Sequence, residues 1–207
     1  MINAIARSKI VESNVAMRAM FAARKQVFVD LLKWDLPVLE GQFEIDQFDT
    51  PNARYLILLG ANGQHRASAR LLPSMGPHIL GDLYPHLCDD EVPRHPRILE
   101  ISRFCLDRHQ DAASRLSARN QLVTALVDHA MREGIDCYTG VAELSWLAQI
   151  LRFGWQCEPL GEPQGKSGSK IGALRIRIDS QTRARLEQTG IYARLSLQLV
   201  ESRESVA

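Results

Sequence analysis

The sequence predicts an α/β fold, a three-layer αβα arrangement around a mixed, twisted sheet. Two observations predict it. Strand-like and helix-like hydrophobic periods alternate along the chain, and Asn62-Gly63 sits between two β-rich runs as a hairpin signal. A hairpin followed by strand, helix, strand and helix calls for a mixed sheet with helices on both faces.

At 207 residues the chain is long enough for one well-cored domain, expected to span 1–207. Apolar residues make up 45% and charged residues 24%, which excludes disordered and fibrous classes. The formal charge of +1 supplies no broad field for wholesale nucleic-acid binding, although a local basic patch stays open. Residues 1–10 contain Arg7 and Lys9 and lack the apolar core of a signal peptide. No window approaches the ~18 apolar residues of a membrane span. The expectation is a cytoplasmic protein with no nucleic-acid partner and no membrane span. Cys88, Cys105, Cys137 and Cys157 form no paired C-x-x-C element, so no zinc site is expected and reduced, buried thiols are. A phosphate-loop signature, an H-E-x-x-H helix and a G-x-S-x-G elbow are all missing.

The elements follow in order. Val15, Met17, Met20, Phe21, Val27, Phe28, Leu31 and Leu32 recur at three- and four-residue steps, predicting an amphipathic helix from Asn14 to Trp34. A polar loop through Pro37 and Gly41 leads to a short strand within residues 43–49, where Phe43 and Ile45 alternate with acids. Residues 54–59 and 66–72 form the hairpin. A short helix falls near 79–87, and a strand runs from Arg97 to Leu106. Regular alternation would put Arg103 and Glu100 on opposite faces of that strand, so sharing a site requires a twist, a bulge or a strand end. A helix over 117–133, with Leu122, Val123, Leu126, Ala130 and Met131 on its apolar stripe, stops at Gly134. A buried strand over 135–142, a helix over 144–153, a glycine- and proline-rich loop to Ser169, a strand over 171–178, a helix over 181–188 and a strand over 192–200 complete the chain. This order suits the acyltransferase fold often called GNAT, which by itself supplies no activity.

Activity has to come from residues, and the unusual ones are charges set in otherwise apolar elements: Arg24, Asp46, Asp49, Arg70, Glu100 and Arg103. A buried ion without a partner costs several kcal/mol, so these imply mutual pairing or a charged ligand. An architectural ion-pair network and a binding site both satisfy that requirement, and spacing does not separate them.

Arg24-x-x-Val27-Phe28, Trp34, Asp46-x-x-Asp49, Arg70-Leu71-Leu72-Pro73 and Glu100-Ile101-Ser102-Arg103-Phe104 resemble, in this order, the signature of the acyl-homoserine-lactone synthase family. Residues 134–161 are similar more loosely, through Phe153-Gly154-Trp155. The resemblance implies a two-step acyltransferase reaction that makes a quorum-sensing signal, with S-adenosylmethionine and an acyl thioester as substrates and no cofactor or metal. It implies Glu100 as the acceptor of the amine proton, with Asp46 as competitor. Asp49 would help position the cationic substrate, and Arg24 and Arg103 would orient carboxylates through planar bidentate bonding. Arg70 would anchor the set from behind. Phe28, Trp34 and Phe104 are either an aromatic wall for S-adenosylmethionine or plain core.

Tyr138, Gly140, Val141, Ala142, Trp146, Leu147 and Ile150 would line an acyl pocket beside the Glu100 strand, core packing being the alternative for the last three. Ala142 stands where the family carries a serine or threonine for 3-oxo chains, which implies an unsubstituted or 3-hydroxy chain. The donor is acyl carrier protein or acyl-CoA. Arg152, Lys166, Lys170, Arg175 and Arg177 form a set that either meets an acidic carrier protein or is ordinary surface charge. The rival readings are an acetyl-CoA-dependent amine N-acetyltransferase, disfavoured because residues 107–119 hold no glycine for a pyrophosphate loop, and a non-catalytic sensor.

Overall fold

The computed structural model describes residues 15–165 and 170–203. Arg7, Lys9 and Lys166 lie outside them. In chain order the elements are α1 (Val15–Arg24), a π-helical turn (Lys25–Leu31), β1 (Val38–Leu39), β2 (Phe43–Glu44), β3 (Arg54–Leu59) and β4 (His65–Pro73). There follow α2 (Ile79–Asp82), a 3₁₀ turn (Pro85–Leu87), β5 (Ile98–Leu106), α3 (Ala112–Glu133) and β6 (Cys137–Glu143). The chain ends through α4 (Leu144–Ile150), β7 (Gln156–Pro159), β8 (Ile171–Arg177), α5 (Thr182–Gln188) and β9 (Gln198–Arg203). The described residues form two compact units, one of 15–70, 103–122 and 195–203, the other of 71–102 and 123–194. No described helix is long and apolar enough to cross a membrane.

In the first unit, α1 buries Ala16, Met17, Met20, Phe21 and Ala23, the stripe its period requires. The predicted helix changes pitch at Arg24. Beyond it the backbone widens, with the Leu32 N–H bonded to Val27 O and the Trp34 N–H to Phe28 O. That turn buries Val27 and Phe28 and leaves Leu31 and Leu32 exposed. β1 and β2 form a small antiparallel pair where the sequence suggested only a loop before residue 43. Its turn uses Glu40 and Gly41 at φ 53° and 66°. The predicted hairpin is present, with Gly63 at φ 72°.

β9 pairs with β3 and begins at Gln198, later than the predicted start at residue 192. The alternating residues before it serve another purpose. The Gln121 side-chain oxygen accepts hydrogen bonds from the Ser196 and Leu197 amides. α3 starts at Ala112, ahead of the predicted Ser117, because Asp111 caps it, accepting from the Ser114 amide at 2.9 Å and hydroxyl at 2.8 Å. Met131, expected on its apolar stripe, is 44% exposed, and Ala118, Ala125 and Val127 are buried instead.

In the second unit, β6 runs parallel to β5 and antiparallel to β8, which makes the sheet mixed. β7 lies in the stretch read as a loop. It is a short, largely exposed edge strand flanked by Gly154 and Gly161, without the apolar alternation that marks a half-buried strand. Alternation along β6 separates two faces. The Tyr138 hydroxyl donates to the Leu126 carbonyl of α3, while Val141 packs with Leu80 of α2 and Ala173 of β8. Leu147 of α4 lies against Gly172, the register partner of Ala142. Helices therefore cover both faces of this unit's strands, as the αβα expectation required.

His65 sits buried at the start of β4 with Nε2 bonded to Ser68 Oγ at 2.8 Å. Burial pushes its pKa down to about 4, against a weaker opposing pull from Asp107. The unfolded chain takes up a proton near 6.5 and the folded chain only near 4, so stability is full above 6.5 and is lost as pH falls through that window. We expect denaturant midpoints to report a loss of about 3 kcal/mol between pH 7.5 and 4, and His65→Gln to flatten that slope.

Candidate functional site

The Asp46-x-x-Asp49 spacing is a turn. The Asp49 amide reaches the Asp46 carbonyl at 3.2 Å, and the side chains close it from within: Asp46 N–H to Asp49 Oδ2 and Phe48 N–H to Asp46 Oδ1, both 2.8 Å. Residues i and i+3 of a turn converge, so both carboxylates face one spot in the first unit. Glu44 of β2 joins them, two residues from Asp46 along an extended segment.

Three guanidinium groups fill the gaps. Arg24, at the end of α1, donates Nε to Glu44 at 2.5 Å and both Nη atoms to Asp49 at 2.9 Å. Arg70 of β4 takes both Asp46 oxygens at 2.6 and 3.1 Å and lies 2.9 Å from Asp49. Arg103 of β5 uses Nε and Nη2 on Glu44, and Nη2 on Asp46 at 2.6 Å. Tyr55 adds its hydroxyl to Asp49 at 2.8 Å. Three cations thus face three anions, all buried except for a small part of Arg103.

Burial alone would raise the Asp49 carboxyl, but Arg24 and Arg70 hold it far below the usual carboxylate range. Asp46 is treated alike, burial and Asp49 raising it while Arg70 and Arg103 prevail and lower it. Burial opposes charge on Arg24 also, and Asp49 and Glu44 overcome it. Asp46, Asp49, Arg24 and Arg70 are thus held in their charged forms by one another.

Arg103 is the irregular member. Its backbone sits at φ 50°, a left-handed conformation a non-glycine residue adopts at a cost of about 1–3 kcal/mol. Here is the break in alternation that the sequence required of this strand. The break turns the guanidinium toward Glu44 and Asp46 and lays it over the Phe28 ring, 5.6 Å from its centroid. Phe28 stacks on Trp34 at 5.0 Å and 17°, and both belong to a cluster with Ala23, Val27 and Cys105. Phe28 and Trp34 are thus part of a packed apolar cluster. Phe104, next to Arg103, is half-buried.

Glu100 belongs to the second unit. It is fully buried, and its oxygens accept the amides of Ile79 at 2.9 Å and Leu80 at 2.6 Å, where α2 begins. The residue missed in the sequence as a member of the charged set is Glu44. Its signal was present, an acid alternating with Phe43 and Ile45 two residues before Asp46.

The acyl-pocket residues divide between the two faces of β6. Tyr138, Gly140 and Ala142 lie toward α3 and α4, as do Leu147 and Ile150, both buried, with half-buried Trp146 edge-on to Phe153 at 5.9 Å. Val141 faces the opposite way, into the Leu80 cluster. At Gly140 a β-carbon would meet the Ile101 carbonyl at 3.1 Å, so glycine allows β5 to approach. Of the basic set, Arg175 and Arg177 both pair with Glu158, whereas Arg152 and Lys170 are exposed.

The family described as Autoinducer synthase matches residues 8–186. An acyl-homoserine-lactone synthase of Ralstonia nicotianae is 32% identical over 171 residues, 79% of this chain and 82% of the relative. Among solved structures, TofI in a ternary complex with an inhibitor and MTA is 32% identical, with a TM-score of 0.71 over 83% of this chain and 89% of its own. BjaI, a CoA-dependent acyl-homoserine lactone synthase solved with SAM and isopentyl-CoA, is 26% identical with a TM-score of 0.75 over 93% and 89%. An N-acetyltransferase structure from Lactobacillus plantarum, 17% identical with a TM-score of 0.54 over 81% and 94%, shares the fold.

Glu44→Gln leaves Arg24 and Arg103 short of an anion in a buried place. We expect a loss of about 3–5 kcal/mol in unfolding free energy by denaturant titration, and no resolvable change on removing the exposed Glu158 partner of Arg175.

Proposed function

Because this chain belongs to the autoinducer synthase family, we propose that it makes an N-acyl-L-homoserine lactone from S-adenosylmethionine and an acyl thioester, releasing methylthioadenosine. The donor is acyl carrier protein or acyl-CoA, and the reaction is assigned to the cytoplasm. In the first step the methionine amine attacks the thioester carbonyl and the thiol leaves. In the second the carboxylate attacks the carbon beside the sulfonium, closing the lactone. The amine needs a proton acceptor, and the carboxylate needs a fixed cation.

Arg103 carries the reading. Its left-handed backbone aims a guanidinium whose Nη1 takes no part in the bonds to Glu44 and Asp46, and which rests on the Phe28–Trp34 stack. We assign the substrate carboxylate to that group, because a planar fork holds a carboxylate in one orientation. The aromatic pair offers the sulfonium a π face. Arg24, Arg70, Asp46 and Asp49 are committed to one another and hold Arg103 and the turn in place.

We assign the amine proton to Glu100. Asp46, the competitor, is a weak base, since two arginines hold it ionised. The acyl chain is assigned to the face of β6 that carries Ala142 against α4, where no hydroxyl awaits a 3-oxo group.

Methylthioadenosine release, followed with a panel of acyl-carrier-protein and acyl-CoA donors, tests the reaction. Acyl transfer to an unrelated amine without that release would sink it. Arg103→Lys keeps the charge and loses the fork, so kcat/KM for S-adenosylmethionine should fall about 100-fold or more with folding intact. Unsubstituted or 3-hydroxy donors should outrun 3-oxo donors, and Ala142→Thr should narrow the gap, read as relative kcat/KM.

A further inference from the structure

α2 is one turn long, and a helix that short does not hold itself together. It nevertheless carries the two amides, of Ile79 and Leu80, that hold the Glu100 carboxylate. Contacts outside the helix have to fix where they point. Leu80 anchors one side, fully buried in the cluster with Leu87 and Ala173. The other side belongs to His78, the residue just before the first of those amides. Its side chain makes no cap bond to the helix and turns back instead, Nδ1 lying 2.8 Å from the Gly76 carbonyl. A carbonyl only accepts, so Nδ1 carries the proton and donates it. The ring is fully buried.

Gly81 is the other half of this arrangement. Glycine inside a helix costs about 1 kcal/mol against alanine, and the backbone here does not call for it, since Gly81 is not left-handed. Space calls for it. A β-carbon on Gly81 would stand 2.5 Å from His78 Cε1 and 2.7 Å from Nε2, with Arg94 Nη2 at 2.6 Å. Arg94 is itself tied down, its Nη1 donating to the Ser74 carbonyl at 3.2 Å. The imidazole is therefore wedged between the Gly76 carbonyl and the bare backbone of Gly81, three residues further on.

We propose that His78 is a positioning residue for Glu100, a strut seated on Gly81 that fixes the amides of Ile79 and Leu80 and, through them, the carboxylate. The inference rests on the assignment of Glu100 as the proton acceptor. His78 neither gains nor loses a proton in the step. A base displaced by about 1 Å loses rate while the substrates still bind.

The test follows kcat per folded molecule, the folded fraction coming from near-ultraviolet circular dichroism, in the parent, His78→Ala, Gly81→Ala and the double variant. His78→Ala is expected to lower kcat about 10–100-fold and to leave KM for both substrates within about 3-fold. A merely structural role would lower the folded fraction or the melting temperature and leave kcat per folded molecule where it was. Gly81→Ala should lower kcat by a similar factor, although helix propensity favours alanine. Once His78→Ala has removed the ring, Gly81→Ala should cost nothing further, since both changes displace one strut. His78→Asn keeps a side-chain N–H in the place of Nδ1 and should recover kcat to within about 5-fold of the parent. A folded His78→Ala enzyme with the parental kcat overturns the proposal, as do additive losses in the double variant. Should His78→Ala not fold, Gly81→Ala against the parent makes the comparison, and equal kcat values overturn it. If Glu100→Gln alone keeps full activity, the base assignment fails and this inference with it. If Glu100→Gln is inactive while His78→Ala is normal, only the strut fails.

Discussion

Three guanidinium groups and three carboxylates are buried together in the first unit, and each charge is tolerable there only because the others are present. Taking such ions from water costs several kcal/mol each, and only close, hydrogen-bonded opposite charges offset it. The constraint reaches back along the chain. It ties the end of α1, the β2 segment, the 46–49 turn, β4 and β5 to one point, because each supplies at least one member. A shift of any one element by a single residue would strand an ion. Two local irregularities fall where this demand is met: the pitch change follows Arg24, and the left-handed residue of β5 is Arg103.

The network also divides labour. Arg24 and Arg70 are enclosed and pair bidentately, so they stiffen the cluster. Arg103 alone among the three carries backbone strain, rests on an aromatic stack and keeps a nitrogen outside these pairs. Strain at one residue persists only where the surround over-determines it, as the ion pairs do here. Glu100 shows a different economy in the second unit. There the backbone amides of Ile79 and Leu80 hold the carboxylate.

Much of this was legible in the sequence. The Asn62-Gly63 hairpin, the helix ending at Gly134 and the strands around Glu100 and Ala173 follow from period and turn chemistry, which are local. The charged motifs stood out because ions interrupt apolar runs. Other features escaped for stated reasons. β7 has little apolar alternation, since it is a mostly exposed edge; residues 193–197 alternate without being a strand, since amides there bond to Gln121 and Thr124 of α3 instead. Met131 fits a helical stripe and still faces solvent, because the stripe's width depends on what packs against it.

By itself the sequence determined the αβα class, the order of the elements, the family and five of the six members of the buried ion network. Period, capping and motif are properties of neighbouring residues, and no fold is needed to read them. Only the tertiary structure decided that Glu44 stands in the network, that Arg103 is left-handed, and that Glu100 is the register partner of Thr139. These depend on strand register and on pairs 20 to 59 residues apart in sequence. Periodicity carries no information about which distant charge will be adjacent.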